Sequence, residues 1–88
     1  PLNFALHQNY PNPFNPSTTI EYQLPSTALT TLTVYDILGK EVKILLNTIQ
    51  APGTYAIQWD AGNLPSGIYF YRLSAGGRAE TKKLLFLK

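Results

Sequence analysis

The chain has 88 residues, a formal net charge of +2 and no Cys. This length fits one domain, and the lack of Cys excludes disulfides and thiolate metal sites. The basic residues are too few and scattered for a nucleic-acid-binding surface, and no apolar run is long enough to cross a bilayer. We expect a single domain over residues 1–88 that neither binds nucleic acid nor inserts stably into a membrane. Because the first residue is Pro rather than Met, we expect a fragment of a longer protein.

Short alternating runs of apolar and polar residues predict β-strands throughout, with no helix. In chain order, strands are predicted at about 4–8, 17–24, 29–35, 42–46, 54–60, 68–75 and 79–87. Turn residues at Asp36–Gly39 and at Gly76-Gly77 indicate hairpins. The stretches 47–53 and 60–67 are predicted loops.

The spacing of these strands predicts the fold class. Seven short strands with turn signals at about 8–12-residue spacing are typical of an immunoglobulin-like β-sandwich of antiparallel strands. Residues 68–75 are apolar on both faces, which predicts a central strand. Trp59 alternates with polar neighbours and is predicted to anchor the core. A small closed barrel is the structural alternative.

Residues 9–16, with three prolines, cannot form part of a sheet ladder. We interpret this segment as a rigid crossing between two sheets, with Tyr10 and Phe14 filling the edge of the core. A proline-rich recognition site is the alternative.

Little in the sequence points to catalysis, which needs a nucleophile with a base, a carboxylate pair or a metal. His7 is the only imidazole and has no Cys to partner it. The carboxylates are scattered, at Glu21, Asp36, Glu41, Asp60 and Glu80. We therefore expect no enzymatic activity and no cofactor, and leave open a calcium site built on Asp60 and Asn63.

Two further features have a structural and a functional interpretation. Exposed aromatic rings bind sugars, and Tyr35, Tyr69 or Tyr71 are the candidates. Adjacent Lys82 and Lys83 must point to opposite faces of the last strand. They either protect an edge strand from pairing or belong to a terminal signal over 82–88.

Several blocks of the chain, in order, resemble the type A C-terminal sorting domains of type IX secretion substrates. These blocks are QNYPNPFNPSTTI at 8–20, VYDILGKEV at 34–42, GTY at 53–55 followed by Trp59, LPSGIYFYRL at 64–73 and KKLLFLK at 82–88. A related resemblance, through 12–16 and 66–69, is to the immunoglobulin-like domain of flagellar hook-cap proteins. The short 60–65 loop and the Lys-rich end favour the sorting family.

The resemblance implies a non-catalytic signal at the C-terminus of a secreted protein. It would direct an N-terminal cargo domain through the periplasm and the outer-membrane type IX translocon to the surface of a Gram-negative bacterium. A sortase-like surface protease would then remove it. The alternative is an accessory immunoglobulin-like spacer or carbohydrate-binding domain of an extracellular enzyme.

In that family the signal lies in the final strands. As a hypothesis, the translocon recognises the last strand by backbone pairing and charge. The residues expected to take part are Gly67, Tyr69, Lys82, Lys83, Leu85, Leu87 and Lys88.

Overall fold

The computed structural model describes residues 2–88 as seven antiparallel strands in two sheets. The strands are β1 (Ala5–Leu6), β2 (Ser17–Leu24), β3 (Ala28–Tyr35), β4 (Glu41–Gln50), β5 (Gly53–Asp60), β6 (Gly67–Ala75) and β7 (Arg78–Phe86). The immunoglobulin-like β-sandwich is thereby confirmed, and the closed barrel was the wrong alternative. No helix that could span a membrane occurs within residues 2–88.

One sheet has three strands in the order β1-β2-β5, and the other has four in the order β4-β3-β6-β7. The predicted central position of residues 68–75 is confirmed, because β6 lies between β3 and β7. The turn from β6 to β7 has positive φ at both Gly76 (57°) and Gly77 (78°). A two-residue hairpin of this type needs that conformation twice, which glycine adopts without steric cost.

The core lies between the inner faces of the two sheets. It is formed by alternate residues of the long strands, as the alternating patterns of β2 and β5 predict. Its largest fully buried members are Tyr22, Tyr71, Phe86, Ile20, Leu24, Leu32, Leu73, Leu84 and Val34. Trp59 is buried among them, which confirms its predicted role as a core anchor.

The predicted loop at 47–53 was wrong in its first half. β4 continues to Gln50, because Asn47 and Thr48 pair with Thr31 and Thr30 of β3. Two register shifts occur earlier in this pair of strands, and each reverses the alternation of side chains. These shifts interrupt the alternation in β4, and the exposed polar residues Asn47 and Thr48 come next. Their sequence therefore resembled a loop, although their backbone remains paired with β3.

Residues 9–16, which contain three prolines, cross one side of the sandwich, and only one of their two aromatic side chains is buried. Phe14 packs between Phe86 and Trp59, with ring centroids 5.1 and 5.9 Å away. Tyr10 was predicted to fill the core edge, but its side chain is 80% exposed. Its backbone exchanges two hydrogen bonds with Thr19, and in this strand-like geometry adjacent side chains alternate. Asn9 therefore points inward and Tyr10 outward.

We predict that Phe14→Ala lowers the free energy of unfolding by about 3–5 kcal/mol, because it leaves a cavity between two aromatic rings. Tyr10→Ala, four residues away in the same segment, is the matched control and should change it by less than about 0.5 kcal/mol. Urea denaturation measures both. Equal effects of the two substitutions would contradict the structure.

Candidate functional site

The last strand, β7, lies at the edge of its sheet, and residues 8–16 cover part of its outer edge. One side of β7 pairs with β6. On the other side, the outward-pointing backbone groups belong to alternate residues, because the N–H and C=O of one residue point the same way in a strand. Leu85 bonds through both of its backbone groups to Asn12 and Phe14, so its groups point outward. Counting back in steps of two, the other outward-pointing residues are 79, 81 and 83.

Residues 8–16, here called the proline segment, occupy the C-terminal half of this edge. The Asn12 side-chain oxygen accepts from the Leu85 N–H at 3.0 Å. The Phe14 N–H donates to the Leu85 carbonyl at 3.0 Å, and the Phe14 carbonyl accepts from the Leu87 N–H at 3.1 Å. The Gln8 side chain donates to the Lys83 carbonyl at 2.7 Å. The backbone edge from the Lys83 carbonyl to the Leu87 N–H is therefore already bonded within the chain.

The prolines explain why this cover does not create a new pairing edge. Phe14 directs both of its backbone groups at β7, where it forms a bridge to Phe86. Pro11, Pro13 and Pro16 carry no N–H, so they cannot donate to an added strand. The segment closes one edge and offers few donors of its own.

The N-terminal end of the proline segment is held by the hydroxyl of Tyr71 on β6. This hydroxyl accepts from the Asn9 N–H at 2.8 Å and donates to the His7 carbonyl at 2.6 Å. The buried Asn9 side chain donates to the Thr18 hydroxyl at 3.0 Å. Burial raises the pKa of Tyr71 to about 12, so its hydroxyl stays protonated and able to donate.

The N-terminal half of the β7 edge is open. Within residues 2–88 no hydrogen bond reaches the outward backbone groups of Ala79 and Thr81. Lys82, half buried, lies on the inner face, and exposed Lys83 lies on the outer face. The expectation that these two lysines point to opposite faces is confirmed.

The apolar end is the name used here for the exposed apolar side chains on the turn after β3, at the start of β6 and just after β7. It consists of Ile37, Leu38, Ile68 and Leu87. Ile37 is 68% exposed and Leu38 is 90% exposed. A groove of about 360 Å³ between Ile37 and Ile68 is lined also by Ser66 and Gly67.

The turn that carries Ile37 and Leu38 is held in one conformation. The Asp36 carboxylate accepts from the N–H groups of Leu38 and Lys40, each at 2.9 Å. The Gly39 N–H donates to the Asp36 carbonyl at 3.0 Å. Two large aliphatic side chains are thus presented to solvent on a rigid turn, an arrangement typical of a binding surface.

The residues predicted for recognition do not share one face. Tyr69 is buried, and its hydroxyl donates to the Pro65 carbonyl at 2.6 Å. Lys82 lies on the inner face, whereas Lys83 and Leu85 lie on the outer face. In the folded domain the Tyr69 side chain is mostly buried and supports the loop before β6, and Tyr69 also lines the groove beside Ile37.

Four of the predicted residues, Gly67, Leu85, Leu87 and Lys88, do come together at the apolar end. Gly67 pairs with Phe86, next to Leu85, and Ile68 pairs with Leu85 itself. The Lys88 N–H donates to the Ser66 hydroxyl at 2.9 Å. The C-terminal residues are therefore tied to the start of β6.

Two of the three candidate sugar-binding tyrosines were wrong. Tyr69 and Tyr71 are on the inner face of β6 and are buried, because the outer face of that strand carries Ile68, Phe70 and Arg72. Tyr35, on the outer face of β3, remains partly exposed.

In the loop proposed for calcium, the Asp60 carboxylate is already used in a hydrogen bond within the loop. The Asp60 carboxylate accepts from the Gly62 N–H at 2.8 Å. No cluster of three or more His, Asp or Glu that could hold a metal is present among residues 2–88. The open suggestion of a calcium site at Asp60 and Asn63 gains no support.

The polar residues that attach the proline segment to the rest of the domain were not predicted from the sequence. Gln8, Asn9 and Asn12 bond to partners distant in sequence, Lys83, Tyr71 and Leu85. The sequence offers one clue to their role, which is that they lie close to prolines. A proline has no N–H to donate, so nearby polar side chains are needed to bond this segment to the strands. The exposed pair Ile37-Leu38 was assigned to a turn, where two adjacent large aliphatic residues are unusual.

A family model described as the secretion system C-terminal sorting domain matches residues 8–87 of the chain. No curated protein matches it. The match begins at Gln8, the first residue whose side chain bonds to β7, and ends at Leu87, the last residue bonded to the proline segment.

We predict that Tyr71→Phe lowers the free energy of unfolding by about 1–3 kcal/mol, because Asn9 N–H and the His7 carbonyl lose their partner. Tyr10→Phe, at an exposed site, is the control and should have no measurable effect. Urea denaturation at neutral pH measures both.

The same variants test the raised pKa. The Tyr71 pKa lies above its ordinary value of 10.0 when folded, so the unfolded chain loses this proton first as the pH rises. Wild-type stability should therefore fall between about pH 10 and pH 12, and Tyr71→Phe should fall less steeply. Burial also raises the Tyr22 pKa, so some decline should remain. Parallel pH profiles for the wild type and Tyr71→Phe would contradict this account.

Proposed function

The chain belongs to the family of secretion system C-terminal sorting domains, and we propose that it is a non-catalytic signal for the type IX machinery. In this proposal residues 1–88 are one domain that follows an N-terminal cargo. It directs that cargo across the periplasm and through the outer-membrane translocon to the cell surface of a Gram-negative bacterium. A sortase-like surface protease then removes it.

The observation that carries the proposal furthest is the apolar end. Large exposed apolar patches on a monomeric domain commonly mark a binding surface. Here Ile37 and Leu38 stand on a turn fixed by Asp36, and Ile37 lines a groove together with Gly67 and Ile68. A rigid surface loses little conformational entropy on binding, which favours recognition.

Charge supplements this apolar contact. Lys83 and Lys88 are exposed at the end of the chain nearest the apolar end, and the chain carries a net charge of +2. A translocon surface with apolar pockets and an acidic rim fits such a group. We propose that the recognition residues are Gly67, Lys83, Leu85, Leu87 and Lys88, joined by Ile37 and Leu38. Tyr69 and Lys82 would position them from the inner face.

One observation supports the alternative of a sugar-binding accessory domain. A groove of about 330 Å³ on the outer face of the four-stranded sheet is lined by Tyr35, Phe70, Arg72 and Thr81, among others. An aromatic ring beside a guanidinium and a hydroxyl is a common setting for sugar recognition. Binding of soluble glycans, lost in Tyr35→Ala, would favour this alternative.

A reporter fused to residues 1–88 tests the sorting function. We expect it on the surface of a type IX-competent bacterium and in the periplasm of a strain that lacks the translocon. An intact, folded fusion that stays in the periplasm of both strains would contradict the proposal.

Two matched substitutions then test the site. Ile37 and Ile49 are 68% and 69% exposed. Ile49 lies on β4, where it pairs with exposed Leu29 of β3, at the edge of the four-stranded sheet opposite β7, so it is matched in exposure but lies away from the C-terminal residues. We predict that Ile37→Asp reduces surface delivery at least about tenfold, which corresponds to a loss of about 1.4 kcal/mol of binding. Ile49→Asp should leave delivery near wild type. Thermal unfolding of both variants shows that each is folded, and equal loss of delivery in the two would refute the site.

A further inference from the structure

The open half of the β7 edge carries backbone groups that nothing else in the described chain uses. Ala79 and Thr81 direct their N–H and C=O groups outward, and the Lys83 N–H points the same way. β1 packs near β7, but its backbone pairs with β2. An exposed edge of this kind is a template for another strand.

This open edge is bounded at both ends. The turn at Gly76-Gly77 ends it on one side, because both glycines have positive φ and are not extended. The proline segment ends it on the other, since Gln8 bonds to the Lys83 carbonyl and Asn12 to the Leu85 N–H. An added strand therefore has residues 79–83 to pair with.

The charges of residues 79–83 are complementary to those of the same residues in a second copy of the chain. If two copies pair antiparallel about a two-fold axis at Thr81, each Thr81 exchanges two backbone hydrogen bonds with its copy. Glu80 then lies directly opposite Lys82 of the second copy, and the symmetry repeats that pair. Opposite charges placed across an antiparallel pair stabilise it.

The other two-fold registers are less favourable. An axis at Glu80, Lys82 or Lys83 puts two identical charges directly opposite each other, which destabilises a strand pair. An axis at Ala79 requires Gly77 to pair, although Gly77 lies in the turn with φ 78°. Only the axis at Thr81 uses the whole open edge and pairs unlike charges.

We propose that the open edge of β7 is a homodimer interface, in which two copies pair antiparallel about Thr81 and join their four-stranded sheets. The contact is short, and each copy carries a net charge of +2. The dimer is therefore weak and reversible. It leaves the apolar end free and shares only Lys82 and Lys83 with the residues proposed for sorting.

Analytical ultracentrifugation of residues 1–88, from about 10 µM to about 1 mM, tests the dimer. Single variants Glu80→Lys and Lys82→Glu each place like charges opposite one another twice. Each should weaken self-association about tenfold, because two attractive pairs become repulsive. The double variant Glu80→Lys/Lys82→Glu restores both attractive pairs and should return to within about threefold of wild type.

A mixture of the two single variants gives the sharpest test. Only in a mixed pair does the lysine introduced by Glu80→Lys face the glutamate introduced by Lys82→Glu. The equimolar mixture should therefore associate more tightly than either variant alone. Thermal unfolding of each variant shows that its fold is intact. A wild type that stays monomeric at the highest concentration overturns the proposal. So does a dimer that is unaffected by the charge substitutions, including one that forms by exchange of strands or at another edge.

Discussion

The cover that the proline segment places on β7 is the contact on which the rest of this structure depends. Because β7 is the outer strand of its sheet, it has one free edge, and an unprotected edge can pair with other chains. Here four hydrogen bonds from Gln8, Asn12 and Phe14 occupy its C-terminal half. Phe14 adds its ring to the core against Phe86 and Trp59. The two ends of the chain are thus fixed to each other through the strand that carries the C-terminal residues.

This contact limits where a partner can bind. Backbone pairing with the last residues of β7 is not available in the folded domain, because their outward groups are bonded within the chain. Beside the last strand, a partner can still reach the side-chain surface of the apolar end and the short edge at 79–83. The first fits recognition by a translocon, and the second fits a copy of the same chain. A signal read in this way requires the domain to be folded, since Ile37, Gly67 and Leu87 come from three distant parts of the sequence.

The sequence predicted the sandwich well because alternation in β2 and β5 is regular, residues 68–75 are apolar on both faces, and the breakers between strands are strong. It failed at β4, where two register shifts reverse the alternation, and at Tyr10, where the side-chain phase depends on the backbone bridge to Thr19. The site was harder to predict. The resemblance to sorting domains placed it among the last strands as a hypothesis. Sequence could not show that Tyr69 is buried or that Ile37 joins Gly67, because both depend on how β3 and β6 pack.

Amide hydrogen exchange along β7, followed by NMR in dilute solution, tests the central claim directly. The N–H groups of Leu85 and Leu87 bond to Asn12 and Phe14, whereas the N–H of Thr81 points to solvent. We expect slow exchange at Leu85 and Leu87, close to that of the core, and fast exchange at Thr81. Fast exchange at Leu85 and Leu87, at the rate of Thr81, would show that the proline segment does not hold the last strand and would contradict the account.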